Sequence, residues 1–286
     1  MTPLDVAAIK YVGSAVISQD GNHIAYTLRI QADPLKENAS AHYELHVYDV
    51  AREQNHTFIT RGSARALAFR PGHQSVTFLN RLDDARKTTL YEIPLSGGEA
   101  RPVLEHETSI STYAWAADGK TIGFVAPEVS QAEVSTLPYQ PEIYEGNLTY
   151  NRAWSHNTET GESKQFDVEG NVESLIWSPK GNRLIMTASS SPLVDDHYME
   201  QQLVIVDKKT MTVTGAIDHA GKMGEFLWSP DGAQIAFIAG ADKHDPIAGR
   251  LFVAPVKGGK PGTVTDWNRA IVSRRSRKNS CRSSLA

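Results

Sequence analysis

Five times along this chain an apolar strand runs into a tight turn and then into a second apolar strand. The copies read AVISQDG ending at Gly21, ALAFRPG at Gly72, YAWAADG at Gly119, LIWSPKG at Gly181 and FLWSPDG at Gly232. A repeat of roughly 40–50 residues built from short strands cannot bury both faces of its sheet alone. Stacking such sheets side by side is the β-propeller solution. The repeat therefore predicts an all-β propeller frame, to which any chemistry must be added by other parts.

Each copy can be followed past its turn. In the first, His23 to Tyr26, Glu44 to Asp49 and Thr57 to Thr60 supply the second, third and fourth strands. The second gives Ser75 to Leu79, Thr89 to Ile93 and Arg101 to Leu104; the fifth gives Gln234 to Ile238, Arg250 to Ala254 and Gly262 to Thr265. Alternating apolar and polar residues give the strand period of two, and Asp-Gly and Gly-Gly pairs provide the turns. Gly97-Gly98 and Gly258-Gly259 fall between third and fourth strands, where a hairpin needs positive φ. No segment shows a 3.6-residue period over ten or more residues. Trp115, Trp177 and Trp228 share one repeat position. Recurrence in register predicts that each ring packs between neighbouring blades.

The third and fourth repeats carry longer inserts, Glu128 to Tyr150 and Ser189 to Gln202. Loops of this length are often functional, and plain surface excursions are the alternative. Tyr139, Tyr144 and Tyr150 in the first insert do not recur, unlike the tryptophans. With Asp196 and Tyr198 in the second, they are the candidates for contact with a substrate or neighbouring domain.

The net charge of −4 hides an asymmetry. Residues 269–286 hold Arg269, Arg274, Arg275, Arg277, Lys278 and Arg282 and no acid. The other 23 basic and 33 acidic residues leave 1–268 at −10. An acidic body is a poor nucleic-acid binder, so no nucleic-acid partner is expected. No apolar run approaches the roughly 18–20 residues of a membrane helix, and no membrane partner is expected. A signal-peptide pattern is missing from the first residues, which favours the cytoplasm without fixing the compartment. With Cys281 the only cysteine, neither an intrachain disulfide nor a cysteine zinc site can form.

The division read from the pattern is a partial propeller over 1–268 and an irregular, disordered basic tail over 269–286. Ile271-Val272-Ser273 could begin a sixth blade, but the basic and serine-rich stretch after it cannot continue one. Truncation or a shifted reading frame fits this break better than a targeting tail.

A direct scan for chemistry returns little. There is no Gly-x-Ser-x-Gly nucleophile elbow, no His-Glu-x-x-His, no phosphate-binding glycine loop, and no cofactor is called for. His42 and His46 are four apart on a strand, about 13 Å, too far for one zinc ion, and read as surface residues. Where inner strands meet a central channel, the repeat alignment places Gly13, Arg65, Ser111, Glu173 and Gly224, followed by Ser14, Ala66, Thr112, Ser174 and Glu225. Glu173 and Glu225 are the only acids among them. At different registers on adjacent blades, they read as solvated channel-mouth charges rather than a glycosidase pair.

The Trp-Ser-Pro-Asp-Gly turn followed by Ile-Ala-Phe, with Gly-Gly before the last strand, resembles the TolB-like propeller repeat, in an all-β TolB/WD40-like frame. The opening Pro3 to Val6 leading to Ala15 to Gly21 resembles the start of S9-family, prolyl oligopeptidase-type serine peptidases. Asp195 to Met199 before Leu203 to Asp207, and Asn151 to Trp154 before Thr160 to Glu162, are similar to the acylaminoacyl- and dipeptidyl-aminopeptidase branch. That resemblance implies a non-catalytic cap gating peptide access to a C-terminal α/β-hydrolase domain that this chain does not contain. The Ser-Asp-His triad of the family lies in that domain, so no catalytic residue carries over. The alternative is a stand-alone TolB-like or WD40-like interaction propeller. Five blades without a ring-closing partner predict an isolated chain that self-associates.

Overall fold

A computed structural model describes residues 1–33, 35–82, 85–129, 139, 144–146, 148–245, 247 and 249–264. The basic tail expected over 269–286 lies outside them. Five four-stranded antiparallel sheets follow one another, each strand hydrogen-bonded to the next in chain order. Blade one comprises Tyr11–Ile17, His23–Ile30, His42–Asp49 and Gln54–Ile59; blade two, Arg65–Phe69, Ser75–Asn80, Thr89–Pro94 and Arg101–Leu104. Blade three is Thr112–Trp115, Thr121–Pro127, Asn151–Asn157 and Ser163–Gln165, and blade four is Asn171–Trp177, Arg183–Ser189, Gln202–Asp207 and Val213–Ala216. Blade five consists of Met223–Trp228, Gln234–Ala239, Arg250–Pro255 and Gly262–Thr263. The first strands of blades one to four lie beside one another in succession, which makes them the inner strands of an open, incomplete propeller.

The core is not one mass but four layers, one at each seam between neighbouring blades. Leu45, Val47, Phe78 and Ile93 fill the first seam, and Leu79, Leu90, Trp115 and Phe124 the second. Val125, Phe166, Trp177 and Met186 fill the third, and Ile185, Ile205, Phe237 and Phe252 the fourth. Successive residues of a strand point to opposite faces, so Phe78 and Leu79, or Ile185 and Met186, enter different layers. The middle blades consequently have second strands buried along both faces: Ser75–Asn80 is buried throughout. Among the described residues blade one has a neighbouring blade on one side only, and its first strand, Tyr11–Ile17, is largely exposed.

The shared tryptophan position is explained by hydrogen bonding across these seams. The indole Nε1 of Trp115 donates to Thr77 Oγ1 (3.0 Å), that of Trp177 to the Ala114 carbonyl (3.0 Å), and that of Trp228 to the Ile176 carbonyl (3.2 Å). Each partner sits on the preceding blade. A cation covers two of the rings: the Arg70 guanidinium lies 4.7 Å from the Trp115 centroid and Lys208 Nζ 5.5 Å from that of Trp177. Arg70 also donates to the Gly119 carbonyl and pairs with Glu92, joining blade two to the turn of blade three.

The repeat turns of blades one and five share one chemistry. Asp20 accepts from Ser18 Oγ and the Asn22 amide, and Asp231 from Ser229 Oγ and the Ala233 amide, before each chain reverses at a glycine with φ of 75° or 72°. In blades one, two, four and five the first strand slips register against the second, between Val12 and Ala15, Arg65 and Ala68, Val172 and Ser174, and Met223 and Phe226. Such bulges bend the strand and re-aim side chains. A threonine fills two of them, Thr27 Oγ1 taking the Ser14 amide and Thr187 Oγ1 the Ser174 amide.

Two expectations need correction. The fourth strand of blade one begins at Gln54, not Thr57, because His56 and Asn55 pair with Val47 and Tyr48. His46 is not a surface residue: it is buried, stacks on Tyr26 and bonds Glu44 at 3.0 Å. Among the described residues two short helices accompany the sheets, Pro3–Ala7 and Val194–Met199. At five and six residues neither spans two turns, too short to show a helical period.

Candidate functional site

An up-and-down meander places all second-to-third connections at one end of the propeller. The inserts of blades three and four leave the frame there side by side. They lie where expected, the strands around them ending at Pro127 and Ser189 and resuming at Asn151 and Gln202.

The stem of the blade-three insert is closed by the Glu128 amide donating to the Tyr150 carbonyl at 2.8 Å. Beneath it Arg152 donates from Nε to Glu128 (2.6 Å) and from Nη1 to the Gly170 carbonyl (2.5 Å), and its guanidinium lies 5.0 Å from the Tyr150 ring centroid. Tyr150 is thereby fixed at the seam with blade four. Gly170 turns the chain into blade four with φ of 79°, and a Cβ there would lie 2.0 Å from the Ser189 carbonyl oxygen. Only glycine admits that approach.

In the blade-four insert, Asp196 accepts from Ser190 Oγ and Ser191 Oγ, both at 2.6 Å, and these bonds lower its pKa. Its carboxylate therefore folds the insert. The following residue, His197, reaches the inner strand: Nδ1 lies 2.5 Å from Glu173 Oε2. Gln201 Nε2 donates to the same oxygen and Asn171 Nδ2 to the other, while Asn171 Oδ1 takes the Asn151 amide. One polar chain thus runs from blade three through the bulge of blade four into its insert. Glu173 is tied into this chain and is not the free channel-mouth charge that the alignment suggested.

Above the chain, Tyr198 sets its ring edge-on to His197 at 4.9 Å, with Lys222 Nζ 5.8 Å from its centroid, and stays 55% exposed. Tyr144 is 88% exposed. Its hydroxyl pKa is raised, first by a hydrogen bond to Glu145 and by that residue's charge, then by slight burial and the charge of Asp195 on the neighbouring insert. Tyr144, Tyr150, Asp196 and Tyr198 therefore share one end across the seam of blades three and four. Tyr139 is exposed as well, and no described contact ties it to the other four. A groove of about 1160 Å3 adjoins this end, lined by Gly170, Ser190, Met199 and Gln201 and by His219 and Lys243 from the blade-five side. The Glu173–His197 pair was not legible beforehand, since the residues come from a bulge and a helix that the repeat does not specify.

Glu173 already accepts from Asn171 and Gln201 and contacts His197, and the two insert serines are bound to Asp196. The arrangement is a rigid hydrogen-bonded platform carrying exposed aromatics, which suits binding. Among the described residues no group of three or more His, Cys, Asp or Glu comes together as metal ligands would.

No protein-family model matches the chain, and neither does any curated protein. Solved structures do match. An acylaminoacyl peptidase from Pyrococcus horikoshii superposes with a TM-score of 0.63 at 13% identity, over 87% of this chain and 39% of that one. The likeness is one of fold. An acylaminoacyl peptidase in complex with Z-Gly-Gly-Phe-chloromethyl ketone gives 0.61 at 13% identity, over 88% and 39%. A putative TolB from Agrobacterium tumefaciens gives 0.58 at 15% identity, over 89% and 80%. The chain thus spans about two fifths of the peptidase chains and most of the TolB chain. Its propeller frame is shared, as a fold, with these acylaminoacyl peptidases and this TolB chain.

Proposed function

We propose that this propeller is a protein-interaction module whose end formed by the blade-three and blade-four inserts docks a polypeptide. The observation that carries this reading is the exposed ring of Tyr198, set edge-on to His197 over the seam that Arg152 and the Glu173–His197 pair join, with the exposed Tyr144 near enough to feel the charge of Asp195 on the insert that carries Tyr198. Tyrosines on a fixed support lose little side-chain entropy on binding and offer both apolar area and a hydroxyl. The fold match to most of a TolB chain supports an interaction module.

The test is selection of binding peptides from a random library on the immobilised chain, followed by titration against variants. Tyr144→Ala and Tyr198→Ala should each weaken a selected peptide, whereas Lys180→Ala at the opposite end should not. Peptides indifferent to both tyrosines would refute the reading.

A second reading is the propeller cap of an S9-type peptidase, gating peptides toward a hydrolase domain. It is favoured by the match to only 39% of each peptidase chain, the share one domain of a larger protein would occupy. Translating the DNA beyond codon 286 in three frames tests it: Gly-x-Ser-x-Gly followed by Asp and His supports the cap, and intergenic sequence counts against it.

A further inference from the structure

Blade two carries an arrangement that polypeptide docking at blades three and four does not use. Arg65 opens its inner strand and Arg81 follows its second strand, and both guanidiniums converge on one hydroxyl. Arg65 Nη2 lies 3.3 Å and Arg81 Nε 3.2 Å from Thr88 Oγ1. Thr88 is 3% exposed, whereas both arginines are exposed to solvent. The three residues line a cavity of about 410 Å3 with Gly62, Ser63 and Asn80.

The local fold explains the convergence. The bulge between Arg65 and Ala68 puts Ala66 at φ 51°, a left-handed conformation that costs a non-glycine residue about 1 kcal/mol or more. It turns the start of the strand so that Arg65 also reaches the Ile110 carbonyl at 3.5 Å. On the other side, the buried Asn80 takes the Ser63 and Arg81 amides on its Oδ1 and fixes where Arg81 leaves the sheet.

Two positive groups held this close repel each other unless something negative joins them. Among the described residues neither guanidinium has a carboxylate within ion-pair distance. Asp83 and Asp84, in the same connection, lie outside the described residues. Each guanidinium carries five N–H donors. Arg81 commits Nε and keeps its Nη1–Nη2 fork for the cavity, while Arg65, with Nη2 engaged by Thr88 and Ile110, offers Nε–H and Nη1–H as single donors. Partial burial of its guanidinium end, and after it the charge of Arg81, lowers the Arg65 pKa. Forked guanidiniums match the paired oxygens of phosphate and carboxylate groups.

We propose that Arg65, Arg81 and Thr88 form an oxyanion-binding site at the inner end of blade two, taking a phosphate or carboxylate group of a small ligand. The cavity is of the size that small-ligand sites occupy.

Isothermal titration of the full chain at constant ionic strength tests this, with inorganic phosphate in one arm and succinate in the other. Saturable binding of either anion, weakened about tenfold or more by Arg65→Gln and by Arg81→Gln, supports the site. Phosphate alone marks it as phosphate-selective, and succinate alone as a carboxylate site. Arg101→Gln, an exposed arginine on the outer strand of the same blade, should leave binding unchanged. Should a glutamine variant not fold, Arg65→Lys and Arg81→Lys keep the charge but lose the planar guanidinium, and should weaken binding less. No saturable binding of either anion, or binding indifferent to both arginines, overturns the proposal.

Discussion

The Trp177 indole donates its N–H to the Ala114 carbonyl at 3.0 Å, across the seam between the third and fourth blades. Trp228 makes the corresponding bond to the Ile176 carbonyl one seam later, while Trp115 one seam earlier donates to the Thr77 hydroxyl, which itself donates to the Ala68 carbonyl, so the sequence repeat is also a repeat of inter-blade bonding. Trp177→Phe keeps most of the ring packing but leaves the carbonyl without its donor. It should lower the free energy of unfolding by roughly 1–3 kcal/mol. Urea unfolding followed by circular dichroism checks this, and an unchanged midpoint would show the bond to be incidental.

Two repeat glycines should respond very differently to one methyl group. Gly21 and Gly119 both have positive φ, but a Cβ at Gly21 meets nothing within 4 Å, whereas at Gly119 it would lie 2.1 Å from the Pro71 carbonyl oxygen. Gly21→Ala should cost about 1–2 kcal/mol of backbone strain. Gly119→Ala must also push blade three away from blade two and should cost about 3 kcal/mol or more. Equal midpoints for the two variants in thermal melts would contradict the packing of that seam.

Acid should loosen the chain in two stages. Burial lowers the pKa of His106, His156 and His219, in the last case against a helping bond to the Gly240 carbonyl. The folded state then binds fewer protons than the unfolded one just below pH 6.5, so stability falls as pH drops from about 6.5 toward the lowered values. Asp118 is partly buried, which opposes ionisation, yet the Lys120 and Thr121 amides, the Thr121 hydroxyl and Lys208 hold its pKa at about 2. Its contribution is present above 3.8 and is lost between there and 2. Melting temperature against pH should therefore show a first decline beginning near 6.5 and a second below 4. His106→Phe with His219→Phe should shrink only the first; a curve flat down to pH 5 would refute the histidine stage.

Both ends of the arc present apolar residues to water. Tyr11, Val12 and Ile17 on the first strand of blade one are about half exposed, and Leu227 on the first strand of blade five is 64% exposed. Open strand edges and apolar patches favour association. Size-exclusion chromatography with light scattering should show species larger than a monomer, and Val12→Lys with Leu227→Lys should shift the distribution toward monomer. A monodisperse wild-type monomer would contradict this.

The fold was legible because its determinants are local and repeated. Asp20-Gly21 and Asp231-Gly232 each encode their own turn, and Trp115, Trp177 and Trp228 announce the seams by recurring in register. What was not legible depends on departures from the repeat. Glu173 and His197 are 24 positions apart and meet because a bulge and a six-residue helix aim them at each other. Arg65 and Arg81 meet at Thr88 for a similar reason. His46 alternates like a surface residue, and its burial follows from the Tyr26 ring stacked on it, which no pattern of one strand reveals. Of the proposed contacts, Asp196 resembles an exposed acid in sequence, yet its Oδ2 takes the hydroxyls of both Ser190 and Ser191.

Hydrogen exchange of the chain with and without a selected peptide tests the docking face most directly. The account predicts that binding slows exchange in 148–152 and 189–201, around Tyr150 and Tyr198, and leaves the turns at Gly21, Gly181 and Gly232 unchanged. Protection confined to those turns, or to the outer strands, would place the docking surface elsewhere and contradict it.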